Sequence, residues 1–124
     1  MKFVVLVFLG GGIGSLGRYL LNRWISGLVV SSFPYGTFIV NITGCFLIGF
    51  LVYFTERFGT ASLPWRLFLV TGFCGGYTTF SSFSFENIEL ISNHQVLTFL
   101  AYTFASLALG FLATFGGILL ARNI

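Results

Sequence analysis

The stretch Gly72–Ser84 reads GFCGGYTTFSSFS and lies inside an apolar segment that is long enough to cross a membrane. A Gly-Gly pair followed by Thr-Thr interrupts the pattern of a spanning helix, and phenylalanines then recur at three-residue spacing among hydroxyl side chains. A bilayer interior accepts broken backbone only where protein shields it or where it lines a cavity. The stretch therefore predicts a helix broken at membrane depth, beside a path for a small polar solute or ion.

The composition of the whole chain is that of an integral membrane protein. Of 124 residues, 56% are hydrophobic and 7% are charged, whereas soluble domains usually carry about 25% charged residues. The six basic residues are scattered and form no patch, so the net charge of +3 does not indicate nucleic-acid binding. The first apolar run continues through glycines to Arg18 and Tyr19 without a small-residue cleavage site, so we interpret it as a retained helix.

Four apolar runs each supply the ~20 residues that a spanning helix needs. They cover Phe3–Ile25, Tyr35–Thr55, Arg66–Ile91 and Val96–Ala121. The connections are short: Ser31–Pro34, Phe58–Trp65 and Ser92–Gln95. We therefore predict an all-α integral membrane protein, with a single four-helix transmembrane domain over residues 1–124 whose third helix is broken at Gly75–Thr79.

The charged residues that flank these runs are nearly balanced across the membrane. Four spans put both termini on one side, together with Lys2, Arg57, Arg66 and Arg122, while Arg23 and His94 lie on the other side and Arg18 lies near them. An excess of Lys and Arg marks the cytoplasmic side, which favours cytoplasmic termini. The excess is small, and near balance is also typical of a protein that inserts in both orientations.

Polar residues at membrane depth need a partner or water. Asn41 lies six residues into the second run, roughly 9 Å along a helix, and Thr37 lies one turn earlier on the same face. Tyr102, Ser106 and Gly110 form a second stripe at i, i+4 and i+8. Asn41 either cross-links two helices or lines a polar path, and both alternatives stay open.

Small residues at four-residue spacing predict close helix packing. Gly10-x-x-x-Gly14 lies in the first run and Ser106-x-x-x-Gly110 in the fourth. Contacts within one subunit and contacts between subunits explain these pairs equally well. Four packed helices leave little lumen, so a conduction path would form more naturally between subunits.

The residues after the break combine aromatic rings with hydroxyls. Phe80 and Phe83 share one helix face and Glu86 lies close to it, while Ser81 and Ser84 share another face. Ring edges are electropositive, so edge-on phenylalanines suit a small anion, with stronger hydrogen bonds from donors such as Asn41 and Ser81.

The break itself predicts a second kind of site. Carbonyls at the end of a half-helix carry partial negative charge and suit a small cation, and we expect Gly75 and Gly76 to permit the backbone turn there.

Enzymatic function is not indicated. His94 stands alone in a predicted loop, and no Ser/His/Asp, Cys/His or paired-carboxylate arrangement lies at membrane depth. Cys45 and Cys74 both lie within apolar runs, where they are interpreted as small packing residues because a metal site needs more ligands nearby.

Taken together, these motifs closely resemble the signatures of the Fluc (CrcB) fluoride channels. The stretch GFCGGYTTFSSFSFE resembles the third-helix signature G-x-x-G-G-x-T-T-F-S-x-F-S-x-E of that family. Gly11–Tyr19 (GGIGSLGRY) resembles its first-helix glycine-rich motif, and Gly36–Gly44 (GTFIVNITG) resembles its second-helix motif G-T-x-x-x-N-x-x-G. The resemblance extends over the whole chain.

The resemblance implies a dual-topology, antiparallel homodimer in the bacterial plasma (inner) membrane, with two fluoride pathways lined by both subunits. It implies a structural sodium ion at the dimer interface, held by the backbone carbonyls of Gly75 and Thr78 from each copy. It also implies roles along the fluoride pathway for these residues: Phe80, Phe83, Asn41, Thr79, Ser81, Ser82, Glu86, Tyr102, Ser106, Thr37 and Arg18. The chain departs from some members at Gly110, where they carry a second serine, so it lacks a hydroxyl at that position.

Two alternatives are weaker. A small dual-topology drug or cation exporter of the small multidrug resistance type needs a carboxylate in its first helix, and the first run here has none. A subunit that only assists assembly would have no reason to bury Asn41 and Glu86 beside a broken helix. Passive, selective export of fluoride is the function that the sequence favours.

Overall fold

The computed structural model describes all residues, Met1–Ile124, and contains helices joined by short turns, with no strand. The α-helices are α1 (Lys2–Leu28), α2 (Tyr35–Thr55), α3 (Ser62–Arg66), α4 (Gly75–Tyr77), α5 (Phe80–Ser92) and α6 (Val96–Asn123). A 3₁₀ segment, Glu56–Ala61, follows α2, and a π-helical segment, Leu67–Cys74, joins α3 to α4. The prediction of an all-helical fold is confirmed, and the third helix is broken within the predicted range Gly75–Thr79, at Thr78 and Thr79 only.

Three helical stretches are long and apolar enough to cross a membrane: Lys2–Leu28, Tyr35–Ser92 and Val96–Asn123. The middle stretch contains the second and third predicted runs and folds back on itself. Its connection, predicted as 58–65, is mostly helical and turns at Gly59, whose φ of 57° and ψ of −119° suit a glycine. The fold-back brings Asn41 into hydrogen-bond contact with Thr79, 38 residues later in the chain.

Glycines let α1 approach the backbone of the segment that precedes the break. A Cβ added at Gly10 would collide with the Phe68 carbonyl, and one added at Gly14 would collide with the Phe73 carbonyl. The Gly10-x-x-x-Gly14 pair therefore makes a contact within the chain, which decides between the two alternatives for this motif. Close backbone approach is the usual way in which helices associate inside a bilayer.

Helices α2 and α6 lie side by side in the same direction. Gly49 of α2 contacts the backbone of Thr114, and Gly117 of α6 contacts the backbone of Phe46. At the ends of the two helices, the Arg57 guanidinium donates to the Ala121 carbonyl, and Arg122 lies over the ring of Tyr53. Arg57 and Arg122 thus lie at the same end of the molecule, as predicted, and they place positive charge at two negative helix ends.

His94 lies in the exposed turn between α5 and α6, as predicted, and it also caps the end of α5. It adopts a positive φ of 61°, with its amide bonded to the Ile91 carbonyl and the next amide, of Gln95, bonded to the Leu90 carbonyl. These bonds are those of a Schellman-type C-cap, in which one residue adopts the left-handed conformation. His94 therefore has a structural role in the short connection to α6.

Most side chains lie on the outside of the chain. Only 19 of 124 residues are buried, and 11 of those are glycines or threonines, whereas many of the large apolar side chains are exposed. In water such a surface would aggregate, whereas lipid or a second protein copy covers it at no cost. The described fold is therefore that of a multi-pass membrane protein.

Candidate functional site

The helix break lies at Thr78 and Thr79. Thr78 has φ −82° and ψ 156°, and Thr79 has φ −147° and ψ 116°, so both residues are extended. Gly75 and Gly76 are helical, and the prediction that they provide the backbone turn is wrong. Gly76 is small for another reason, because a Cβ there would collide with the carbonyl of Gly11 on α1.

Threonine side chains cap both half-helices at the break. The Thr78 hydroxyl and amide both donate to the Cys74 carbonyl, at 2.9 and 3.0 Å. The Thr79 hydroxyl accepts from the Ser82 amide at 3.2 Å, which is a typical N-cap of α5. The Thr-Thr pair therefore breaks the helix by supplying caps, and it does so without a left-handed residue.

The Gly75 and Thr78 carbonyls at the break receive no hydrogen bond. The amides that would normally bond to the Gly75 carbonyl belong to Thr78 and Thr79, and these donate to Cys74 and to Asn41 instead. The Thr78 carbonyl also accepts nothing. Gly75 is exposed, and the space beside it is open. These two oxygens are free to bind a ligand from outside the chain.

Asn41 holds the extended backbone at the break. Its side-chain oxygen accepts from the Thr79 amide at 2.9 Å, and its Nδ2 donates to the Thr79 carbonyl at 3.0 Å. The helix cross-link left open from the sequence is thus present. A carboxamide has two N–H donors, so one remains after this pairing.

A groove of about 340 Å³ opens at the break between α2, α5 and α6. Of the sequence-predicted residues, Asn41, Thr78, Thr79, Phe80, Phe83 and Ser106 line it. The rings of Phe80 and Phe83 lie 5.9 Å apart, centroid to centroid, at 43° to each other. Phe80 is 79% exposed, so the groove is open to the surface of the protomer. Donors, hydroxyls and tilted rings therefore converge on one surface.

Glu86 forms a second polar cluster beside this groove. Its carboxylate accepts from the Thr37 hydroxyl at 2.9 Å and from the Tyr102 hydroxyl at 3.2 Å. Thr37 is 2% and Tyr102 0% exposed, and the Tyr102 ring packs against Phe83 at 5.0 Å. Glu86 and Thr37 also line a cavity of about 300 Å³ that reaches the α1–α2 connection. The cluster therefore joins that cavity to the phenylalanine pair.

The remaining hydroxyls differ in what they contact. The Ser81 hydroxyl lies 3.3 Å from that of Thr79, whereas the Ser106 hydroxyl bonds to nothing in the chain although it lines the groove. Ser82 contributes its backbone amide to the cap of α5. Gly110 is buried, and a Cβ there would lie 3.5 Å from the Cys45 sulfur. Position 110 therefore belongs to the contact between α2 and α6.

Arg18 lies apart from the groove. Its Nε donates to the Gly76 carbonyl at 3.1 Å, on the α1 side of the break. It borders an open cavity of about 410 Å³ with Ser15, Tyr19, Asn22 and Arg23. The structure therefore brings Arg18 to the break without bringing it to Phe80 and Phe83.

Comparison with known proteins identifies the family of this chain. Residues 5–118 match the family described as CrcB-like protein, Camphor Resistance (CrcB). The chain belongs to the CrcB family. It is 44% identical over 124 residues to a protein of Flavobacterium psychrophilum named fluoride-specific ion channel FluC, with both chains covered in full. It is 47% identical over 122 residues to a protein of the same name from Rhizobium meliloti, with 98% of each chain covered.

Two contacts in this CrcB-family chain were not anticipated from its sequence. The Thr43 hydroxyl lies 2.7 Å from the Tyr77 hydroxyl, and Asn87 accepts from the Thr103 hydroxyl at 3.3 Å. Tyr77 is buried immediately before the break and stacks on Phe73. The sequence shows Thr43 and Asn87 as polar residues inside apolar runs. Their partners could not be predicted, because they depend on how each helix is rotated about its axis.

Proposed function

We propose that this CrcB-family chain is a subunit of a fluoride-specific ion channel in the bacterial inner membrane, and not an enzyme. Hydrogen fluoride enters cells as the neutral acid and dissociates inside, so a passive F⁻ pathway lets the anion leave down its electrochemical gradient. The relatives described above are named fluoride-specific ion channels, and they match 98–100% of this chain. The convergence of Asn41, Phe80, Phe83 and Ser106 on one groove is the observation that carries the proposal.

The groove offers the chemistry that a dehydrated anion needs. The second Asn41 N–H and the unpartnered Ser106 hydroxyl are donors, and hydrogen bonds to a charged group contribute about 1.5–3 kcal/mol. The tilted rings of Phe80 and Phe83 offer electropositive edges. Further hydroxyls come from Thr79, Ser81 and Ser82. The polar cluster of Glu86, Thr37 and Tyr102 forms the next part of the pathway.

The assembly that we propose is an antiparallel, dual-topology homodimer of one four-helix transmembrane domain, in which α2 and the broken stretch Leu67–Ser92 each cross the bilayer. The groove is open on one side and Phe80 is 79% exposed, so a second copy is needed to close a pathway. A test is to label single cysteines at the C-terminus from each side of the membrane. Dual topology predicts labelling from both sides, and labelling from one side only contradicts it.

We further propose that a structural sodium ion binds the Gly75 and Thr78 carbonyls of both copies. The residues fit such an ion, because these two oxygens lack donors and hard cations prefer oxygen ligands. When bound, the ion would neutralise the negative end of α4 and hold the copies together. Fluoride flux should then not respond to a sodium gradient, and stoichiometric coupling of the two fluxes contradicts a structural role.

Purified protein in liposomes tests the central proposal directly. Vesicles loaded with potassium fluoride or potassium chloride are diluted into salt-free buffer, and a potassium ionophore releases the counter-charge. We expect rapid fluoride efflux and no chloride efflux above that of protein-free vesicles. Equal efflux of both anions contradicts selectivity, and retention of both contradicts the channel.

A further inference from the structure

The side of the break that faces α1 is held by two side chains that donate to one carbonyl. The Gly76 oxygen accepts from Arg18 Nε at 3.1 Å and from the Ser15 hydroxyl at 3.4 Å. The contact is close because Gly76 packs on the Gly11 backbone, where a Cβ would collide. Arg18 is half-buried there and makes no other hydrogen bond. The guanidinium is thus directed at the backbone of α4.

Some carbonyls at the end of α4 accept hydrogen bonds from within the chain, and others remain open to an outside ligand. Cys74 is capped by Thr78, and Gly76 is capped by Arg18 and Ser15. Gly75 and Thr78 are left without donors. A cation at the C-terminal end of a half-helix also offsets the partial negative charge of the helix dipole. Arg18 therefore both completes the cap and supplies a fixed positive charge at the break.

We propose that Arg18, with Ser15, is a positioning residue that fixes the end of α4 by binding the Gly76 carbonyl, and thereby orients the open Gly75 and Thr78 carbonyls for a ligand from outside the chain. Its main role is then to shape the break, and not to attract anions from the neighbouring cavity. The part of this proposal that concerns the cation rests on the proposed function, whereas the part that concerns the backbone of the break does not.

Arg23 provides a matched control for the charge. It lies five residues later on α1 and lines the same cavity, yet it makes no hydrogen bond. Arg18→Gln and Arg23→Gln therefore remove the same charge from the same cavity. Only Arg18→Gln also removes the guanidinium hydrogen bond to the Gly76 carbonyl. Arg18→Lys keeps the charge but loses the planar donor geometry.

Hydrogen exchange on the full-length protein in lipid nanodiscs separates the two roles. In Arg18→Gln, we expect the amides of residues 77–82 to exchange about tenfold faster, since a charge-assisted hydrogen bond is lost. Arg18→Lys should lie between this variant and the wild type, and Arg23→Gln should match the wild type. Wild-type exchange in Arg18→Gln overturns the proposal, and so does equally faster exchange in both Gln variants.

Thermal unfolding against sodium concentration tests the cation part. We expect Arg18→Gln to need about tenfold more sodium for half-maximal stabilisation, because its binding carbonyls are less well oriented. Arg23→Gln should need the wild-type concentration. If wild-type protein conducts fluoride but its unfolding ignores sodium, the cation proposal fails while hydrogen exchange still decides the role of Arg18. A further outcome is that both Gln variants lose the same amount of flux and that added salt abolishes this loss. This result would assign Arg18 to anion attraction and overturn its proposed positioning role.

Discussion

The two halves of the broken stretch Leu67–Ser92 differ in how the chain covers them. Before the break, Gly72, Cys74 and Tyr77 are buried, and α1 lies against the backbone itself. After the break, only Asn87 and Leu90 of α5 are buried, while Phe80, Phe85 and Ile88 are exposed. The half before the break is covered by α1 of the same chain, and we call it the closed half. The half after the break is largely uncovered, and we call it the open half.

The difference indicates which surface of the protomer needs a partner. Apolar side chains lose nothing by facing lipid, but hydroxyls and unpaired carbonyls do, because hydrocarbon offers them no partner. Ser81 and Ser84 on the open half are exposed, and the Gly75 and Thr78 carbonyls beside it are unpaired. Polar groups left open next to a break are therefore expected to face an ion or a second copy.

The largest effect is expected in the closed half, from Gly14→Leu. Its Cβ would collide with the Phe73 carbonyl, and a backbone atom cannot move aside cheaply. We expect almost complete loss of folded protein, measured as the monodisperse peak after extraction. The control is Gly12→Leu, because no atom lies within 4 Å of a Cβ there. Normal yield from Gly14→Leu would show that the closed half is not tightly packed.

The next effect concerns Asn41, which joins the two halves. Asn41→Asp keeps an acceptor for the Thr79 amide but replaces both N–H donors with negative charge. Loss of a hydrogen bond to a charged group costs about 1.5–3 kcal/mol, so fluoride flux should fall by roughly 10- to 100-fold or more. Undiminished flux in liposomes would exclude Asn41 from the pathway and leave it only the helix cross-link.

A smaller effect is expected from the rings of the open half. Phe80→Ile and Phe83→Ile keep apolar bulk and remove the electropositive ring edge. A desolvated cation over a ring face is worth about 2 kcal/mol, and we expect a similar magnitude for an anion at the electropositive ring edge, so each variant should lower fluoride flux by roughly 30-fold while folded yield stays normal. Phe85→Ile is the control, because Phe85 is 64% exposed on the same helix and does not line the groove. Equal flux in all three variants would mean that the rings only pack.

The smallest effect separates flux from stability. Ser106 lines the groove and bonds to nothing, so Ser106→Ala should lower flux by roughly 2- to 10-fold without changing the unfolding temperature. Thr103→Val removes the bond to Asn87 instead, and should lower stability by about 0.6 kcal/mol while flux stays normal. Normal flux in Ser106→Ala together with reduced flux in Thr103→Val would show that the pathway does not pass Ser106.

The sequence predicted which residues lie near one another more fully than it predicted the backbone contacts at the break. Six predicted pathway or cation residues line one groove, since helical spacing states which side chains share a face. The glycines were misjudged, because a Gly-Gly pair is equally suited to a turn and to close packing, and only the position of α1 decides between them. Arg18 was assigned to the pathway by resemblance, and its bond to the Gly76 carbonyl depends on a contact across 58 residues.

By itself, the sequence determined an all-helical membrane protein, the broken stretch and the family, because apolar run length, charge depletion and local motifs are properties of the chain alone. The tertiary structure decided which backbone groups are paired at the break. Asn41 satisfies Thr79, Arg18 satisfies Gly76, and the Gly75 and Thr78 oxygens remain open. Hydrogen bonds are short and directional, so their partners follow from helix rotation and depth, which no local pattern encodes.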